Sequence, residues 1–298
     1  MILARCPISS LLQASSAKFG GDFNKLLSPL PLSRNNAVSS IVFPKCRCLK
    51  NDITEKPSKG FSVLASDIPW ESGSTWSTMA FYIFNLHIPL GYGGLSIVAY
   101  ILHQPVPDPQ TQALSLLVFQ ILELCGALFL LSRTMKPEHD LVNFFKANKL
   151  PKERNWLLAS ALGFGVLTLL IVLTSLAADR LFGAKAASNP VVKEILLSSD
   201  ISRTALAIVN CLIAPLLEET IYRGFLLTSL ASTMNVQHAV VISSAIFSAA
   251  HFSVDNFLQL FIIGCVLGCS YCWSGNLSSS IAIHSLYNAL ILMITFLS

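Results

Sequence analysis

Formal charge nearly vanishes from the last quarter of this sequence. Between residues 224 and 298 the only side chain that is formally charged with histidine neutral is Asp255. Over all 298 residues the charged fraction is 12% and the mean hydropathy is +0.62. A soluble domain carries about twice that charge. The scarcity excludes a freely soluble globular enzyme and leaves no nucleic-acid partner to expect. It points to an all-α, polytopic transmembrane helical bundle whose obligate partner is the lipid bilayer.

Acid is what the first 50 residues lack. Asp22 stands alone against Arg5, Lys18, Lys25, Arg34, Lys45, Arg47 and Lys50. An apolar core long enough for a secretory signal is also missing. A basic, serine-rich, acid-poor leader has the composition of an organelle transit peptide. Its length and serine content favour a plastid over a mitochondrion, and a disordered cytosolic tail is the alternative. The segment "SVLAS" (residues 62–66) offers a cleavage neighbourhood. The expected organisation is a transit peptide over 1–65, a short linker over 66–75 and a membrane domain over 76–298. Cys6, Cys46 and Cys48 then leave with the leader. The expected location is a multi-pass chloroplast membrane protein, in the thylakoid or the inner envelope.

Beyond the leader, apolar runs recur, and in lipid each must satisfy its backbone internally as helix. Spans are expected near residues 76–102, 113–131, 156–178, 204–230, 239–252, 257–273 and 279–297, about seven in all. The first holds "HIPLGYGG" (87–94), whose proline and glycines predict a kink or break. The fifth is short for a crossing helix. The loop 133–154 carries Arg133, Lys136, Lys146, Lys149, Lys152 and Arg154 against Glu138, Asp140 and Glu153. The positive-inside rule puts it on the stromal side of a plastid membrane. Within it, "VNFFKANKL" (142–150) reads as an amphipathic surface segment. "NPVVKEILLSS" (189–199) reads as another short surface helix.

Against this apolar background "LLEETIYRG" (216–224) holds three ionisable groups. Glu219 and Arg223 are four apart, share a helix face and can pair. Glu218 points elsewhere. A charge at mid-bilayer costs at least about 2.5 kcal/mol on insertion scales. Glu218 therefore needs a counterpart on another helix, a bound cation or a proton of its own. Pro215, three residues earlier, frees a backbone carbonyl nearby. The last spans supply the candidates: His251 in "FSAAHF", and His284 with Asn288 in "HSLYNA". A carboxylate, an orienting histidine and further polar groups can activate a water and hold an oxyanion or a metal. The same residue types also build proton or ion pathways.

The segments "EETIYR", "FSAAH" and "HSLYN" fit E-E-x-x-x-R, F-x-x-x-H and H-x-x-x-N. In this order, near the C-terminus of a multispan chain, they resemble the three motifs of the CAAX protease and bacteriocin-processing (Abi) family. That family includes the type II CAAX prenyl endopeptidases. The resemblance covers residues 204–298. It implies that Glu218 activates the attacking water, that His251 is its partner, and that His284 and Asn288 hold the oxyanion. It implies a structural role for Glu219 and Arg223. It also implies an intramembrane endopeptidase acting on a membrane protein or peptide. The family has been described both as glutamate proteases and as metalloproteases. A divalent ion such as zinc, held by Glu218, His251 and His284, therefore stays open. Neither H-E-x-x-H nor the rhomboid serine motif is present: "GGLSI" has no glycine after Ser96. A catalytically silent scaffold or regulator of plastid membrane proteins is the alternative function. Oligomeric state is not legible.

Two features stand outside these motifs. Cys265, Cys269 and Cys272 share a helix stripe with Gly264 and Gly268, a pattern of small residues that lets helices pack closely, with a metal or cluster site on one helix as the alternative. Glu123, deep in the second span, either reaches the site or extends toward an interface.

Overall fold

The computed structural model describes Ser62, Leu64 and residues 68–139, 154–182 and 189–298. The expected transit peptide, most of its cleavage neighbourhood and the segment 142–150 lie outside the described residues, apart from Ser62 and Leu64. Among the described residues all regular structure is helical, with one isolated bridge between Trp70 and Met135. In chain order the helices are α1 (Thr75–Tyr92), α2 (Gly94–Ile101), α3 (Pro109–Thr134) and α4 (Trp156–Phe182). They continue as α5 (Pro190–Ser198), α6 (Asp200–Ala231), α7 (Val236–Ala249), α8 (Phe257–Ser274) and α9 (Leu277–Leu297).

Short polar residues start these helices. Asp108 accepts the backbone N–H groups of Gln110 and Thr111 at the head of α3, where Pro109 needs no acceptor. Asn189, Ser199, Asn235 and Asn276 cap α5, α6, α7 and α9 in the same way. Gly275 ends α8 in the left-handed conformation, at φ 62°.

Each expected span is present as a helix, but among the described residues fewer than seven helices are long enough to cross. Five qualify: α3, α4, α6, α8 and α9. A sixth counts if α1 and α2, bent by 46° at Gly93, form one broken span. The bend has a local cause. Pro89 sits inside α1, and a Cβ on Gly93 would lie 2.6 Å from the Pro89 carbonyl oxygen. The fifth expected span is the exception. α7 has 14 residues, about 21 Å of helix against about 30 Å of hydrocarbon. It stops because the chain turns at once, with Phe252 left-handed at φ 49°.

The centre of the bundle is α6. Within its most apolar window 61% of residues are buried, against 28% in α4, whose Leu162, Leu169 and Leu173 face outward. That outward apolar face suits lipid. The short helix α5 does not lie free on the surface. It buries Val192, Ile195 and Leu196 in a cluster with Ala113 and Leu116 of α3 and Leu206 and Val209 of α6. Part of the expected linker is also packed. Trp70 is fully buried, its indole N–H donates to the Leu131 carbonyl at 3.3 Å, and its ring meets Phe225 edge-on.

Close packing of α7 on α8 depends on Gly264. A Cβ there would fall 2.8 Å from Ser244 Cβ and 3.0 Å from Ser244 Cα. At Gly268 the nearest atom is a Val240 methyl at 3.3 Å, which has more room to give. Gly264→Ala is expected to cost about 1–3 kcal/mol by overpacking, and Gly268→Ala less. Melting of the two variants in detergent checks the order. The cysteines share in this seam only partly. Cys272 is buried, whereas Cys265 and Cys269 line an apolar groove toward α4 with Gly163 and Val166.

Candidate active site

The site grows from irregularity in α6. Two stretches, Val209–Ile213 and Glu219–Leu227, adopt the wider π register. Such insertions recur at functional sites. Pro215 explains part of the first. In an i→i+5 register the Asn210 carbonyl would receive the N–H of residue 215, which proline lacks. Ala214 N–H already goes to Val209. The Asn288 side-chain amide, from α9, takes the place and donates to the Asn210 carbonyl at 2.8 Å. Asn288 therefore has one N–H committed to the backbone and a second to offer.

Glu219 and Arg223 form the pair their spacing predicts. Arg223 Nη1 donates to Glu219 Oε1 at 2.9 Å, with both side chains almost wholly buried. The guanidinium also donates to the Gly264 carbonyl at 3.3 Å, and its Cζ lies 4.3 Å from the Phe247 ring centroid. In a dry site a charge needs this many contacts to offset its lost hydration.

His284 lies between the two glutamates. Its Nδ1 is 2.8 Å from Glu219 Oε1 and its Nε2 is 3.8 Å from Glu218 Oε2. Arg223 holds Glu219 as a carboxylate, so Nδ1 carries the hydrogen and donates. The tautomer follows: a neutral His284 presents a lone pair at Nε2, and an imidazolium presents an N–H there. The 3.8 Å gap to Glu218 exceeds a direct hydrogen bond and suits a bridging water.

His251 follows the last turn of α7. Its Nδ1 lies 2.6 Å from the Phe247 carbonyl oxygen, which can only accept. Nδ1 is therefore the protonated nitrogen of a neutral ring, and Nε2 keeps its lone pair. That Nε2 is buried with no hydrogen-bond partner. Buried polar atoms are rarely left so, and an orphaned one marks a place for a ligand or water. Phe247 joins the parts: its ring centroid lies 4.7 Å from His251, 6.2 Å from His284 and 5.2 Å from Tyr222.

The structure thus brings Glu218, Glu219, Arg223 and His284 into one buried cluster. His251 is held beside it through Phe247, and Asn288 through the backbone of α6. Among the described residues no three His, Cys, Asp or Glu side chains converge as a ligand set for a metal ion. As placed, Glu218, His251 and His284 do not form such a set.

Sequence reasoning missed three supports. Phe247 is both ring platform and acceptor. Ser243 donates to the Tyr222 carbonyl at 2.9 Å, within the second π stretch. Tyr222 buries a hydroxyl that has no partner. A further polar cluster centres on Glu123, which is fully buried and does not extend toward an interface. It binds His87, Tyr82 and Gln120. The signal was a histidine in the same apolar run as the predicted break.

No curated protein and no solved structure matches this chain. One family does, and it matches where the buried carboxylates, the histidines and Asn288 lie: residues 200–290 fit the family described as type II CAAX prenyl endopeptidase Rce1-like.

Proposed function

We propose that this protein is an intramembrane endopeptidase that hydrolyses peptide bonds of membrane-associated substrates with a water activated by Glu218 and His251. The observation that carries the reading is a buried Glu218 facing His284 at 3.8 Å, with the partnerless Nε2 of His251 linked to His284 through the Phe247 ring, all in the segment that matches the endopeptidase family. Glu218 accepts a proton from the water as its oxygen bonds to the scissile carbonyl carbon. The water's other hydrogen stays on its oxygen and donates a hydrogen bond to His251 Nε2, which orients it. The carbonyl oxygen becomes an oxyanion, held by the second N–H of Asn288 and by Nε2–H of an imidazolium at position 284. Collapse breaks the C–N bond, and the proton on Glu218 passes to the leaving amine. Burial lowers the local dielectric and strengthens each of these interactions.

The test is membrane proteomics of a Glu218→Gln line against the parent. A membrane protein that accumulates uncleaved only in the variant supports the reading and identifies the substrate. Full rescue of a null line by Glu218→Gln at normal abundance favours a scaffold instead.

The proposed setting is a chloroplast membrane, supported by the basic, acid-poor leader. A fluorescent protein fused behind residues 1–70 should enter plastids. Uptake into mitochondria alone, or retention in the cytosol, overturns that location.

A further inference from the structure

The turn that carries His251 is gripped from a part of the chain outside the family match. The Ala250 carbonyl, at the end of α7, has no N–H of its own helix to accept. Two side chains of α1 reach it instead: His87 Nε2 at 3.1 Å and the Tyr92 hydroxyl at 3.1 Å. Tyr92 also stacks edge-on against Phe252, with ring centroids 5.2 Å apart. Phe252 is the left-handed residue of the turn. A bulky residue at positive φ is held there at a cost of order 1–3 kcal/mol and needs its surroundings to hold it.

His87 is itself held. Its Nδ1 lies 2.7 Å from Glu123 Oε1 on α3, which also accepts the Tyr82 hydroxyl at 2.9 Å. Gln120 donates to the other Glu123 oxygen at 3.2 Å. Since a carbonyl only accepts, Nε2 must carry the hydrogen toward Ala250. Nδ1 then faces Glu123 Oε1 and, at 3.4 Å, the Tyr82 hydroxyl. Both side chains stand on Tyr82–Tyr92, the stretch of α1 that adopts the wider π register, and from it they meet the same carbonyl.

We infer that His87, oriented by Glu123, is a positioning residue for His251. The chain Glu123–His87–Ala250 fixes the turn so that His251 Nε2 stays aimed into the site. The catalytic half of this inference rests on the endopeptidase reading; the mechanical half does not.

The two halves are tested separately on the full-length protein in detergent. Hydrogen exchange of a peptide spanning 247–257 reads the turn. His87→Ala should speed exchange of the Ala250, His251 and Phe252 amides by about tenfold, the scale of one lost hydrogen bond. Glu123→Ala should do the same. Glu123→Gln should not, because its amide N–H can donate to Nδ1 while Nε2–H stays on Ala250. Unchanged exchange in His87→Ala, or equal loosening by Gln and Ala at position 123, overturns the inference. Turnover of a prenylated CAAX reporter peptide reads the catalytic half. His87→Ala should lower kcat at least tenfold with KM unchanged, and Glu123→Gln should restore near-parental kcat. A raised KM with intact kcat overturns the positioning role. If the parent protein never cleaves the reporter or any recovered substrate, the endopeptidase reading fails, and exchange alone then decides whether the clamp exists.

Discussion

Glu218→Gln should abolish turnover in a protein that still folds. The substitution keeps the shape of the side chain and removes its capacity to take a proton from water. His251→Ala should do the same by removing the Nε2 lone pair that no protein group occupies. The double variant should be little worse than either single one, because groups acting on one water behave as a unit. Asn288→Ala should be milder, a loss of about 10²–10³-fold, typical of one oxyanion donor. It should also cost stability, since it strands the Asn210 carbonyl that Pro215 leaves open. Steady-state turnover and melting of the same preparations separate the two effects. A double variant whose loss is the product of the single losses would mean that Glu218 and His251 serve different steps.

Arg223→Ala should be the most destabilising single change in the site. It leaves Glu219 buried and charged beside His284, a loss of about 3–5 kcal/mol for a broken buried pair. It also removes the bond to the Gly264 carbonyl and the contact with Phe247. Glu218→Gln strands no such charge and should melt close to the parent. Adding Glu219→Gln to Arg223→Ala removes the stranded carboxylate and should recover part of the loss. Thermal unfolding in detergent measures the cycle. A Glu218→Gln variant that melts as low as Arg223→Ala would show that Glu218, not Glu219, bears the structural charge.

Much of this was legible in one dimension because lipid makes backbone bonding local. Each apolar run had to be helix, whatever its neighbours. The Glu219–Arg223 pair followed from a spacing of four, and it survives although the helix there widens to the π register. The break near Pro89 and the capping residues were equally local. The count of seven spans was not, because α7 stops at a turn fixed from α1 rather than by its own composition.

What the sequence by itself determined was the class of molecule, the order of its helices and the short roster of polar groups that a membrane interior must explain. It supplied Glu218, His251, His284 and Asn288 as candidates because a charge or imidazole in hydrocarbon demands a reason. Only the tertiary structure decided which partner each of them meets. His284 faces both glutamates, yet Nδ1 is taken by Glu219, so only Nε2 is left for Glu218. Asn288 is tied to a carbonyl that a proline 73 positions away had freed. Glu123 left its direction open in sequence and turned inward, to a histidine that supports the His251 turn. These are contacts between side chains far apart in the chain. Spacing along a helix sets which face a group occupies, but the partner across that face is chosen by packing.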